Sequence, residues 1–211
     1  MIPLPPSLAG QRIIPVVVID DAGFAPDVAV ALMAGGIGCV EITLRTAAGF
    51  DAISAASQSK STIVGAGTVL TPDHVARAAE AGARFIVTPG FDPEVVARAI
   101  ELGLDVLPGT ATASEVQAAL RMGVDVVKLF PADRLGGLDL ITSLAGPFPT
   151  TGFVPSGGVS ASNLAAYLAH PNVPAVSGSW MVSRHLLGAR DVAEIERLSR
   201  EAVALAASVT P

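Results

Sequence analysis

The chain has 211 residues, 51% of them hydrophobic and only 15% charged, with a mean hydropathy of +0.58. That balance excludes a disordered chain, and every long apolar run is broken by Gly, Pro or a charge before it reaches membrane-spanning length. A net charge of −6 excludes a basic surface for nucleic acid or an anionic bilayer, and a single cysteine, Cys39, excludes an internal disulfide framework and a cysteine-based zinc site.

The opening segment, Met1-Ile-Pro-Leu-Pro-Pro-Ser7, has neither a basic region nor a continuous apolar one, so it does not read as a secretory signal and a cytoplasmic setting is expected. Beyond it, short apolar runs predict strands at 13–18, 38–43, 62–66, 84–88, 104–107, 126–130, 152–155 and 174–177. Between them the chain follows one grammar: an amphipathic stretch, a glycine, then the next apolar run. Gly82, Gly103 and Gly123, 21 and 20 residues apart, mark helix ends, where a left-handed residue is needed and glycine adopts it at little cost. Thr71-Pro72 and Asp92-Pro93 place a capping side chain before proline at a first helical position. Thr112 and Glu115 have the spacing of a capping box. After Asp191, residues Ile195, Leu198, Ala202 and Leu205 recur at helical spacing.

Eight strands that alternate with helices predict an α/β fold, a single (β/α)8 TIM barrel over residues 1–211. Such barrels typically hold ~250 residues, so this one would be small. A doubly wound open sheet is the alternative, but the first strand ends Val18-Ile19-Asp20-Asp21, without the Gly-rich turn that fold normally carries there.

A barrel of this kind works at the carboxyl ends of its strands. The chain has only two lysines, Lys60 and Lys128. Lys60 lies in a polar loop and reads as a solvated surface residue. Lys128 lies inside Val126-Val127-Lys128-Leu129-Phe130, and with period two it shares an inward face with Val126 and Phe130. Burial there disfavours the ammonium form, and a neutral amine attacks carbonyls. Taken alone, Lys128 reads equally as a nucleophile or as half of a buried ion pair with Glu41. Glu41, Thr43 and Arg45 alternate onto one face of the second strand. A carboxylate there could shuttle protons and Arg45 could grip a substrate carboxylate, which tips the reading toward function. The Gly/Ser turns after strands seven and eight, 156–160 and 177–180, are placed to hold a phosphate. The three histidines, His74, His170 and His185, read as surface residues and Cys39 as core. No metal constellation or cofactor motif stands out.

At these residues the sequence resembles the 2-keto-3-deoxy-6-phosphogluconate (KDPG) / 4-hydroxy-2-oxoglutarate aldolase family. The matching stretches are Glu41-Ile-Thr-Leu-Arg-Thr46, Val64-Gly-Ala-Gly-Thr-Val-Leu70, Thr88-Pro-Gly90, Lys128-Leu-Phe-Pro-Ala132, Ala145-Gly-Pro-Phe148, Pro155-Ser-Gly-Gly-Val159 and Gly178-Ser-Trp180. The resemblance implies a metal-free class I aldolase on a (β/α)8 barrel, a homotrimer, acting on a phosphorylated keto acid in the Entner–Doudoroff pathway. It implies Lys128 as the Schiff-base lysine and Glu41 as the general acid/base. Arg45 and Thr68 match residues that hold the pyruvyl carboxylate, Pro89 and Phe130 the walls around the imine, and Ser156, Gly157, Gly158 and Ser179 the phosphate segment. Ser156 stands where the family usually has threonine, which loosens the inference to one substrate. The Thr-Leu-Arg-Thr continuation after Glu41 favours the gluconate-derived substrate over its galactonate isomer. The competing expectations are a related pyruvate aldolase acting on 4-hydroxy-2-oxoglutarate or that isomer, and a non-catalytic trimeric barrel used for binding or assembly.

Overall fold

The structure is a computed structural model that describes residues 2–59 and 61–209; Lys60 lies outside the described residues. The first half runs β1 (Ile13–Val17), α1 (Ala25–Ala34), β2 (Cys39–Thr43), α2 (Gly49–Ser57), β3 (Ile63–Gly67), α3 (Pro72–Glu80), β4 (Phe85–Val87), α4 (Pro93–Glu101) and β5 (Asp105–Leu107). The second half runs β6 (Gly109–Thr110), α5 (Ala113–Arg121), β7 (Val126–Leu129), α6 (Leu138–Ala145), β8 (Gly152–Pro155), α7 (Leu164–Leu168), β9 (Val176–Gly178), α8 (Arg184–Ala189) and α9 (Val192–Ala207).

All the paired strands are parallel. One curled sheet has the order β5-β4-β3-β2-β1-β9 and a second has the order β6-β7-β8. The strands are buried almost throughout, which is why they read as continuous apolar runs rather than alternating ones. No helix among the described residues is long and apolar enough to cross a membrane.

The helix boundaries follow the local chemistry. Gly82, Gly103 and Gly123 have φ of +98°, +68° and +79°. The Thr71 hydroxyl accepts from the His74 amide at 3.2 Å, and Asp92 Oδ1 accepts from Glu94 N at 2.8 Å. Thr112 and Glu115 form the reciprocal capping box. Asp191 caps α9 through Glu194 N at 3.1 Å, and Ile195 and Ala202 on that helix are fully buried.

The fifth predicted strand, 104–107, is matched by β5, and a short strand not expected from the sequence, β6, follows it after Pro108. Proline has no amide hydrogen to give a ladder, and the chain changes partners there. Thr88 N donates to Leu107 O at 3.3 Å on the β4 side, whereas Lys128 N donates to Pro108 O at 2.9 Å on the β7 side. The eighth predicted strand begins later than expected, at Val176 rather than 174. Beyond the end of β8, Ser156 makes an isolated parallel bridge to Ser177 in β9.

The strand interior is layered. Phe85 is fully buried and lies in register with Gly65, where a β-carbon would collide with its ring. The glycine in β3 therefore makes room for the aromatic of β4.

Candidate active site

Lys128 and Glu41 come from strands far apart in sequence and meet in the interior. Their side chains are 5% and 1% exposed, and Lys128 Nζ lies 3.4 Å from Glu41 Oε1. Two local features hold this geometry. Lys128 sits in β7, in register with Gly109 on one side and Val154 on the other. Glu41 sits in β2 opposite Gly65 of β3, and two residues along β3 Gly67 leaves the space that its carboxylate fills. A β-carbon on Gly67 would collide with Glu41 Oε1 and Cδ. Glu41 Oε2, the other carboxylate oxygen, accepts from the Ser177 hydroxyl at 3.5 Å.

The remaining predicted residues ring the carboxyl ends of the strands. Arg45 is exposed just past β2, and its Nε donates to Thr68 Oγ1 at 3.2 Å. Thr68 follows β3 with φ +57°, a left-handed conformation that is uncommon outside glycine and collects at functional turns. Phe130 closes the other side, its ring centre 5.4 Å from Lys128 Nζ. Pro89 follows β4 and is fixed by its neighbours. Thr88 Oγ1 donates to Gly90 O at 2.6 Å and accepts from Gly109 N at 3.0 Å, and a β-carbon on Gly109 would collide with the Pro89 carbonyl.

Gly157 and Gly158 form the turn after β8 with φ +89° and +84°. Asn163 Nδ2 donates to Gly158 O at 2.9 Å, and Asp133 N donates to Gly157 O at 3.0 Å. Ser156 is buried at the foot of that turn, and Ser179 is exposed just after β9. Among the described residues no hydrogen bond joins the Arg45–Thr68 pair to the Lys128–Glu41 pair, and the 156–158 turn reaches it only through the Ser156–Ser177 bridge and the Ser177 hydroxyl on Glu41.

Other residues behave as follows. Burial first, and the Glu41 carboxylate second, push the Cys39 thiol far above its ordinary range, so it is an inert core group. His185 is exposed as expected. His74 and His170 are half-buried rather than surface residues: His74 lies edge-on to Phe50, and His170 Nδ1 accepts from Asn172 N at 3.1 Å. Gly67 and Gly109 shape the site without a specific role from sequence reasoning, and Ser177, expected in the phosphate-holding turn 177–180, instead lies buried in β9 with its hydroxyl on Glu41. Glycine inside a strand signals close approach of another group, and that signal was present for the first two.

Fold and site together define a parallel α/β enzyme with a lysine amine and a carboxylate buried at the carboxyl ends of its strands. The chain belongs to the KDPG and KHG aldolase family, whose model matches residues 6–198. It is 44% identical over 202 residues to the 2-dehydro-3-deoxy-phosphogluconate aldolase of Treponema pallidum, covering 95% of this chain and 96% of the relative. Among solved structures it is similar to the 2-keto-3-deoxy-6-phosphogluconate aldolase of Zymomonas mobilis with 3-phosphoglycerate (TM-score 0.89, 38% identity, 95% of each chain). It is also similar to the KDPG aldolase of Legionella pneumophila with pyruvate captured as a covalent carbinolamine (TM-score 0.89, 35% identity, 92% of this chain and 95% of that one).

Proposed function

We propose that this chain is a Schiff-base aldolase that cleaves 2-dehydro-3-deoxy-6-phosphogluconate to pyruvate and D-glyceraldehyde 3-phosphate. The observation that carries the proposal is the buried Lys128 amine 3.4 Å from the Glu41 carboxylate. Lys128 gives up a proton and attacks the C2 ketone, forming a carbinolamine. Glu41 protonates the departing hydroxyl, water leaves, and a protonated imine forms. The C3–C4 bond then breaks, its electron pair flowing into the imine to give an enamine, while Glu41, through a water, takes the C4 hydroxyl proton. The aldehyde departs. Protonation of the enamine at C3 and hydrolysis of the imine release pyruvate and the free amine.

The carbinolamine held by the Legionella relative supports the lysine step, and the 3-phosphoglycerate on the Zymomonas relative supports a phosphorylated substrate. In this reading Arg45 and Thr68 hold the pyruvyl carboxylate and Pro89 and Phe130 wall the imine. Ser156, Gly157, Gly158 and Ser179 receive the phosphate. The fold is a single closed (β/α)8 barrel: β5 and β6 act as one strand interrupted at Pro108, and the Ser156–Ser177 bridge joins the two sheets. A cytoplasmic homotrimer acting in the Entner–Doudoroff pathway is the setting the sequence resemblance supports.

Incubation with pyruvate and borohydride, followed by peptide mass mapping, tests the reading. A reduced pyruvyl adduct on Lys128 is expected; no adduct, or one only on Lys60, overturns it. Lys128→Ala should lose turnover by about three orders of magnitude or more while still folding, as expected for loss of a covalent nucleophile, with a lowered melting temperature because Glu41 is left buried without its partner. Rates with and without the substrate phosphate separate this substrate from 4-hydroxy-2-oxoglutarate.

A further inference from the structure

Glu41 is a carboxylate with almost no solvent, and each of its oxygens has its own donor. Oε1 faces Lys128 Nζ at 3.4 Å and Oε2 faces the Ser177 hydroxyl at 3.5 Å. The two donors approach from different strands. Ser177 lies in β9 in register with Ile14 of β1, and Glu41 lies in β2 in register with Val16 of the same strand, so the hydroxyl reaches across β1 to the carboxylate. Ser177 is itself 2% exposed. Its backbone makes the bridge to Ser156, so it is anchored where the two sheets meet. Gly67 packs against the carboxylate with backbone only and offers no side chain to hold it.

A carboxylate turns easily about its last bond, where the torsion is broad and two-fold rather than three-welled. Held by the amine alone, it could turn both oxygens toward Nζ and lock the ammonium in a chelate. A second donor on Oε2 prevents that rotation. It leaves Oε1 facing the amine whose proton it must accept.

We propose that Ser177 is a positioning residue for the reaction, its hydroxyl fixing the Glu41 carboxylate so that a single oxygen addresses Lys128. The proposal rests on the Schiff-base reading above. Ser177 touches no reacting atom, so its removal should leave substrate affinity alone and change the proton-transfer steps. Ser177→Ala and Ser177→Gly both delete the hydroxyl and neither adds bulk. In each, kcat should fall about 3- to 10-fold, the span of one ordinary net hydrogen bond, with KM for the keto acid unchanged. Ser177→Thr keeps the hydroxyl and should restore kcat toward the parent value.

Thermal melting confirms that each variant is folded, and trapping of pyruvate on Lys128 confirms the site is intact. A folded variant that traps pyruvate, with kcat unchanged from the parent, or with kcat and KM changed together, overturns the proposal and leaves the aldolase reading standing. Failure of the unsubstituted protein to trap pyruvate on Lys128 overturns that reading, and the role of Ser177 with it.

Discussion

Replacing Gly67 by alanine is the sharpest test of how the fold builds this site. Gly67 ends β3 and does not have a left-handed backbone, so alanine meets no conformational penalty there. Its β-carbon instead collides with Oε1, Cγ and Cδ of Glu41. That side chain is 1% exposed and tied at both oxygens, so it must leave its present rotamer. Overpacking of this kind costs about 1–3 kcal/mol, and for a domain of this size each kcal/mol lowers Tm by about 2–4 °C. Displacing a proton-transfer group by about 1 Å lowers kcat about 100-fold. The stability part is checked by a double-mutant cycle. In a Glu41→Ala background the colliding atoms are gone, so Gly67→Ala should become nearly neutral in thermal melting. If alanine at 67 destabilises equally with and without Glu41, the steric reasoning is wrong.

Two further outcomes follow from titratable groups. Desolvation lowers the His170 imidazole below its ordinary value of 6.5, and its Nδ1 already accepts from Asn172 N. The unfolded chain therefore binds this proton more readily than the folded one, and stability present above pH 6.5 is lost as pH falls through the folded value. His170→Asn should flatten the decline of Tm with acidification over that window, and an unchanged slope would refute the assignment. Cys39 is fully buried and its thiol is pushed up by burial and by Glu41, so the folded protein should resist alkylation at mildly alkaline pH and react on unfolding. Intact mass before and after denaturant measures this.

Much of the architecture was legible in the chain itself because its causes are local. Left-handed glycines at 82, 103 and 123, the Thr71 and Asp92 caps and the Thr112–Glu115 box each depend on a few consecutive residues, and all fall where the spacing placed them. The inward face of Lys128 was legible for the same reason, since a two-residue period is a local property. The fifth strand ends before Pro108 as expected, but the short β6 beyond it was not legible, because Gly109 and Thr110 make no apolar run and pair only with β7. The half-burial of His74 and His170 was not legible, because it depends on Phe50 and on the turn at Asn172.

The amino-acid order alone determined the alternation of buried strands and capped helices, and it singled out one lysine in apolar surroundings as the residue to explain. It also placed Glu41 on a face suited to meet that lysine. Only the folded chain decided that the two are 3.4 Å apart across 87 residues of sequence, that Gly67 is the space the carboxylate occupies, and that Ser177 reaches it across β1. Caps and periods are set by neighbours along the chain, whereas these contacts are set by the register of strands brought together only when the sheets curl.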